Sequence, residues 1–444
     1  MVSGLAAVGL SSAFRSDSQH HAQHAADPAQ TLLEYFAENA PKLLRPAGGI
    51  LRYSSISPSL PDKQYSTNLW DWDTYWTARG LFRVARLSKV GGLHESVCEH
   101  AKGSLLNFLD HQSEDGRIPI MISVDNPDFF GSVKKRRASH TNQAKPVMAQ
   151  LAKLVSAELQ DSAWLAPHFD KILRFHESWA KTNMTGIGLL VWGDDVAIGD
   201  DNDPATFGRP YFSSANVLLN TLYYQDLRAA EELARSSKRD ADSTRIGAAA
   251  STLRARIQEH CWDSRDRFFY TQDVQVVDRR KELIPTIPPG MATSWSSLPL
   301  RIQEFTGFLP MWAGVASKDQ AADLVRLHYR NDQTFHAAAG VRSLSRQETM
   351  YSLEFSSNPS NWLGPTWIIV NYLVWCGLHD YGYKAEAADL ATKTVKLLAA
   401  DLAANGSLNE YYHPDTGKAL SHKGFMDWNL LVLEMANISG TLTL

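Results

Sequence analysis

From Asn68 to Trp76, nine positions hold three indoles (Trp70, Trp72, Trp76), the phenol of Tyr75 and the carboxylates of Asp71 and Asp73. Aromatic faces stack on the C–H faces of sugar rings, and carboxylates accept hydrogen bonds from paired hydroxyls. The stretch reads as one wall of a carbohydrate pocket; the plainer alternative is an aromatic helix start buried against its neighbours. A second polar segment runs from Trp192 through Asp194 and Asp195 to Gly199-Asp200-Asp201-Asn202-Asp203-Pro204. Five aspartates in ten residues repel one another unless they bind a cation or face different partners. Asp200, Asn202 and Asp203 carry hard oxygens suited to Ca²⁺, but the EF-hand order of ligands is not met. A proton donor fits better. A carboxyl crowded by carboxylates, or walled by indole, has its pKa raised and keeps its proton near neutral pH.

The third segment is Gly406-Ser407-Leu408-Asn409-Glu410-Tyr411-Tyr412-His413-Pro414-Asp415-Thr416-Gly417. Alone, Glu410 reads as a solvated residue at a helix-to-loop junction. Set opposite an acidic donor and an aromatic wall, it becomes the second carboxylate that glycoside hydrolysis requires. His140 and His413 are candidate sugar contacts. Tyr411 and Trp428 read equally as core or as pocket wall, and Trp192 and Asp194 as pocket-shaping or structural.

Positioning three such segments takes a large scaffold. The chain has 444 residues, 44% hydrophobic and 21% charged, with a net charge of −4, which suits a globular enzyme. Lys134-Lys135-Arg136-Arg137 is the densest basic run and reads as a solvated loop, so nucleic acid is not an expected partner. Cys98, Cys261 and Cys376 lie far apart and match no metal spacing, which fits a reducing, cytoplasmic setting. No apolar run is long enough to span a bilayer. Residues 1–28 are small, polar and His-rich and read as a flexible tail.

The elements follow a rhythm of helix, long loop, helix. Leu32, Leu33, Phe36 and Leu43 predict a first helix over Pro28–Leu44. Further helices are expected over Thr74–Leu87, 93–112, from Asn142 onward, and over Trp164–Lys181. Ser213 is expected to cap a helix to about Arg235, and Asp242 one to Trp262. Residues 264–312 break the rhythm with five prolines; helices return at 317–330, 363–378, 384–404 and 423–436. Long alternating strands are nearly absent, and no repeat period is visible. Helical hairpins of this kind close into bundles, solenoids or α/α toroids, with their chemically rich loops on one face. Residues 29–444 read as a single domain.

The three segments also carry a family resemblance. Trp72-Asp73-Thr74-Tyr75-Trp76 resembles the W-D-S-Y-W signature of trehalases, and Asn68–Asp73 resembles the L-W-N-W-D segment of family 63 glycoside hydrolases, the processing α-glucosidase family. Gly199–Pro204 is similar to that family's G-[LM]-D-N-S-P loop, and Glu410-Tyr411-Tyr412-x-x-x-Thr416-Gly417 to its E-N-Y-x-x-x-T-G segment. Pro359–Trp367 resembles P-x-x-W-x-G-P-x-W, and Gln143-Ala144-Lys145-Pro146 the Q-P-P segment. The motifs occur in the family's order. Three positions depart from it: in Ala197-Ile198-Gly199 the first two replace E-S of E-S-G, and Asp200 replaces an apolar residue.

The resemblance implies an all-α (α/α)6 barrel and hydrolysis of a small α-glycoside, an α-glucoside above all, with inversion. Asp201 would be the acid and Glu410 the base. Asp73 would hold sugar hydroxyls, with Trp70, Trp72 and Trp362 as stacking walls. Gln143, Lys145, Trp192, Asn202, Gly364 and Tyr411 would complete the substrate site. No metal or organic cofactor is required, and the expected partner is a small sugar. An epimerase, lyase or phosphorylase on the same toroid, or a sugar-binding protein without turnover, stays open.

Overall fold

A computed structural model describes residues 27–133, 142–276, 286, 295–354 and 360–440. The expected tail, the basic run, His140 and Pro359 lie outside the described residues, except that Asp27 caps the first helix and Pro28 begins it. Among the described residues are twelve α-helices: α1 (Pro28–Asn39), α2 (Asp71–Ser88), α3 (Leu93–Asp110), α4 (Met148–Leu159), α5 (Phe169–Asn183), α6 (Val217–Ser236), α7 (Asp240–Arg256), α8 (Leu309–Trp312), α9 (Lys318–Asp323), α10 (Ile368–Asp380), α11 (Lys384–Asn405) and α12 (Val432–Ile438).

Even-numbered helices form the inner ring. α2 packs on α4, α4 on α6, α6 on α8, and α8 on α10; α10 meets the 3-10 turn Asp427–Leu431 and α12, and both return to α2. Four odd-numbered helices lie outside them: α1 against α2 and α11, α3 against α2 and α4, α7 against α6, α11 against α10 and α12. This is the expected (α/α)6 barrel. Sequence dictates which ring a helix joins. α10, I-I-V-N-Y-L-V-W-C-G-L-H-D, is buried on nearly every side, as a helix enclosed by neighbours must be. α7 buries only the stripe Ser243, Ile246, Ala250 and Leu253, and turns its charges to water.

At one end of the ring, two-residue strands lead into inner helices. Leu69–Trp70 pairs with Met121–Ile122 before α2, Ser214–Ala215 with Gln272–Asp273 before α6, and Thr366–Trp367 with Tyr411–Tyr412 before α10. These pairings draw the aromatic stretch and the Glu410 segment to the same rim.

Four local expectations are corrected. Helix does not resume at Asn142; residues 142–147 are irregular and α4 starts at Met148. Pro146 disfavours helix at Lys145, and tertiary partners take the backbone instead: Ala144 N–H donates to Ile118 O (2.9 Å) and Lys145 N–H to Asp71 Oδ2 (2.7 Å). Asn216, not Ser213, caps α6, its side chain accepting from Leu219 N–H at 3.2 Å, because Ser214 is already in a strand. α7 begins at Asp240, two residues before Asp242. The proline-rich break contains a ring member: Phe305–Phe308 winds as 3-10 helix into the single turn α8, with Pro310 in its tolerated first-turn position.

Candidate active site

At the strand-bearing rim lies a cleft of about 320 Å³. Its floor carries the polar groups Asp73, Lys145, Asp201 and Glu410 with Ser360; its walls are Tyr65, Trp70, Trp72 and Trp428; Phe130, Val196 and Phe207 stand at its edge. A larger groove, about 740 Å³, runs along α3 and contains none of these groups.

The wall follows from how α2 begins. Asp71 and Asp73 fall in the first turn, where the helix N-terminus favours negative charge. They point to different partners. Asp71 is fully buried and ion-paired with Lys145 Nζ at 3.0 Å; Nζ also donates to Ala197 O at 3.0 Å and sits 5.4 Å from the Trp72 ring centre. Asp73 reaches the cleft and hydrogen-bonds the carboxyl of Asp427, which is wholly buried and accepts from Thr77 Oγ1 at 2.8 Å. Burial first, then the charge of Asp71, pushes Asp73 up to about 7. Burial, then Asp73, holds Asp427 well above the carboxylate range. Two carboxyls in contact share a proton rather than both ionise.

Asp201 is delivered by a turn built from its neighbours. Asp203 accepts from Ala205 N–H (2.8 Å), Thr206 Oγ1 (2.8 Å) and Asn216 Nδ2 (2.8 Å). Asn202 Oδ1 accepts from Trp362 N–H at 2.6 Å, and its amide donates to Asn361 Oδ1 at 3.2 Å. Asp200 is buried, its carboxyl raised well above the usual range by burial and then by Asp203. Asp201 alone of the three faces the cleft, hydrogen-bonded to Ser360. Burial pushes it up to about 6; Lys145 pulls it down and Glu410 pushes it further up. Gly199 has φ +107°, and a Cβ there would come within 2.9 Å of the Trp72 ring, so a side chain at this position would collide with the wall. Among the described residues, no group of three or more His, Cys, Asp or Glu is arranged to hold a metal ion.

Glu410 is buried to 3% exposure, and its oxygen Oε2 is bound by His422 Nδ1. Burial raises its carboxyl and His422 draws it back. His422 sits edge-on to Tyr65, with ring centres 5.4 Å apart, and Tyr65 is edge-on to Trp70 at 5.7 Å.

Of the residues expected from sequence, Asp73, Asp201, Glu410, Trp70, Trp72 and Lys145 meet in this cleft. Lys145 serves Asp71 and a backbone carbonyl as well as lining the cavity. Six others lie behind it. Gln143 is buried and accepts from Ser178 Oγ at 3.0 Å. Trp192 packs edge-on to Trp179 in the core. Asn202 is the clip described above. Trp362 is not a stacking wall: it lies on Trp367 with centres 3.9 Å apart and planes 5° from parallel, and Trp367 in turn stacks on Tyr411 at 4.5 Å. Phe305 also stacks on Trp362, at 5.6 Å, and neither Trp362 nor Tyr411 lines the cleft. Gly364, at φ +133°, lies against the Tyr351 ring. His413 also lies outside the cleft, its Nδ1 accepting from Asp415 and Thr416 N–H. Asp194 binds the Asn142 amide at 2.8 Å. Five cleft residues were not singled out from sequence, Tyr65, Phe130, Val196, Phe207 and Ser360, together with Asp427 and His422 behind them.

The family model described as mannosylglycerate hydrolase MGH1-like glycoside hydrolase domain matches residues 67–427, a span that holds every residue of this cleft but Tyr65 and Trp428. Mannosylglycerate hydrolase MGH2 of Selaginella moellendorffii is 24% identical over 418 residues, covering 81% of this chain and 78% of that protein. The mannosylglycerate hydrolase of Thermus thermophilus is 29% identical over 140 residues, 31% of each chain. Among solved structures, a family 63 mannosylglycerate hydrolase from Thermus thermophilus in complex with glucose has a TM-score of 0.65 at 21% identity, covering 91% of this chain and 99% of that one. Neutral trehalase from Saccharomyces cerevisiae has a TM-score of 0.58 at 16% identity over 87% and 75% of the two chains. The solved structures share the barrel.

Proposed function

Since the chain belongs to the mannosylglycerate hydrolase MGH1-like family of glycoside hydrolases, we propose that it cleaves a small glucosyl or mannosyl α-glycoside with inversion, Asp201 acting as acid and Glu410 as base. The observation that carries this reading is the meeting of Asp201 and Glu410 in one aromatic-walled cleft, each from a different loop. Asp201, raised to about 6, keeps part of its proton near neutral pH and gives it to the glycosidic oxygen as the bond to the anomeric carbon breaks. Glu410 takes a proton from a water that attacks that carbon from the opposite face. The sum is one water consumed, one free sugar and one aglycone alcohol released. Inversion places such carboxyls about 6.5–9.5 Å apart to admit the water. Trp70, Trp72 and Trp428 stack on the sugar, and Asp73, backed by Asp427, holds its hydroxyls.

The test is sugar release by purified protein from mannosylglycerate, glucosylglycerate and a set of α-linked disaccharides, with the product anomer followed by NMR. Asp201→Asn and Glu410→Gln are measured alongside. The expected result is release of the β-anomer, lost in both variants. Release that survives both substitutions, or release of the α-anomer, overturns the assignment.

A further inference from the structure

Glu410 owes its surroundings to a hairpin. Glu410 N–H donates to Ser421 O (2.9 Å) and Gly424 N–H to Leu408 O (2.8 Å), so residues 421–424 are paired across from 408–410. His422 lies between these two bonds, at φ +49°. A non-glycine residue held in the left-handed region costs free energy that the surroundings must balance. The conformation turns the imidazole inward, Nδ1 onto Glu410 Oε2, with the ring edge-on to Tyr65. Tyr65 is itself held at φ +70°. Two strained residues thus converge on one carboxylate.

We propose that His422 is a positioning residue for Glu410: its Nδ1–H, donated to Oε2, fixes the carboxylate and leaves Oε1 as the oxygen that receives the proton of the attacking water. This rests on the reading of Glu410 as base. A carboxylate buried beside aromatic rings would otherwise favour its protonated form and could not act as base. A donated imidazole hydrogen bond counters that, and it also blocks rotation about the last torsion. Other charged and titratable groups surround the pair. The charge of Glu410 raises both Asp201 and Asp427 through space. Tyr65, facing His422 from the neighbouring loop, feels Glu410, Asp201 and Asp73. Lys63 packs on Gly424, and Lys423 is exposed beside it. None of these supplies Glu410 with the imidazole's hydrogen bond. His422 is raised by Glu410 against the effect of its own burial, so the two groups stabilise each other's charge.

The experiment compares His422→Phe, which keeps the ring against Tyr65, with His422→Asn, which keeps a donor near the Nδ1 position. On the substrate identified above, His422→Phe is expected to lose about 100-fold in kcat with KM within about twofold. Its acidic limb moves to higher pH, because the group that lowers the Glu410 pKa is gone. His422→Asn recovers at least about tenfold of the loss. In parallel, NMR titration follows the His422 imidazole in wild type and in Glu410→Gln, and is expected to show a lower pKa in the variant. Wild-type kcat and an unmoved limb in His422→Phe, or an Asn variant no better than Phe, overturn the proposal. So does an imidazole that titrates identically with and without the Glu410 charge. A wild-type enzyme that cleaves no glycoside while the imidazole shift is present instead overturns the reading of Glu410 as base, and this proposal falls with it.

Discussion

Replacing Asn202 by alanine separates a structural clip from a sugar contact. Asn202 is 2% exposed and joins the loop of Asp201 to the segment of Trp362 through two hydrogen bonds. Truncation does not strand both partners equally. Asn361 Oδ1 keeps a second donor, Leu363 N–H at 3.0 Å. Trp362 N–H loses the Asn202 acceptor and stays buried, at a cost of about 1–3 kcal/mol. Stability should fall by that amount, read as a lower urea midpoint at unchanged slope. Asp201 lies one residue away, so its carboxyl should lose its fixed aim. We expect kcat to drop about tenfold, equivalent to about 1.4 kcal/mol in the barrier, with KM unchanged. Asn202→Asp is the control: it keeps the acceptor for Trp362 N–H but sets a carboxyl against Asn361 Oδ1, and should be about as damaging. The reasoning is refuted if Asn202→Ala unfolds like wild type and raises KM tenfold at unchanged kcat, for that is the signature of a residue that touches the sugar.

Asp201→Asn should be inactive yet more stable than wild type at pH 8. The folded pKa of Asp201, about 6, lies above its ordinary 3.8, so its contribution to stability is complete below pH 4 and lost as pH rises through about 6; melting temperatures at pH 8 and pH 4 should show a gain at the first that shrinks at the second. For the same reason wild-type activity should decline above pH 6 as the acid loses its proton, and a pH–rate profile flat to pH 9 would contradict that role. Lys145→Met removes the counter-charge of a fully buried Asp71 and should cost about 3 kcal/mol, measured by urea unfolding at pH 7; a variant as stable as wild type would mean that Asp71 carries no charge when folded. Gly199→Ala should push Trp72 aside, raise KM several-fold and lower stability, since an alanine at φ +107° is strained; an unchanged KM would show that the Trp72 ring yields without cost.

The sequence made the scaffold legible because its signals are local. Helical spacing and the lack of long strands identify the hairpins, and α10 announces its place in the inner ring by being apolar on nearly all sides. The aromatic stretch and the loop carrying Asp201 were legible because unusual residues crowd into a few positions. Trp362 and Tyr411 misled for a physical reason: an aromatic ring open to a cleft and one stacked on Trp367 have the same sequence signature. Gln143 and Asn202 are polar in the right motifs, yet their hydrogen bonds are made to Ser178 and Trp362. Asp427 and His422 gave no signal, since each acquires its chemistry only from a partner delivered by tertiary structure: Asp73 for the first, Glu410 across a left-handed hairpin for the second.

The ring also sets a timetable. Its seam joins the two ends of the described chain: Thr77 bonds Asp427 across 350 residues, and Arg79 bonds Glu434 across 355. During synthesis the aromatic wall and the loop of Asp201 leave the ribosome well before Glu410, His422 and Asp427. Until those arrive, the wall stands without Glu410 in its cleft and Asp73 lacks the Asp427 carboxyl it bonds. Loop closure over so long a span is slow, and domains growing on the ribosome hold their unfinished surfaces exposed until the last segment docks. On the proposed roles, activity waits for the segment that carries Glu410, His422 and Asp427. A circularly permuted gene that opens the ring on its outer side and synthesises the seam as one continuous stretch should reach activity sooner after translation, while melting no higher.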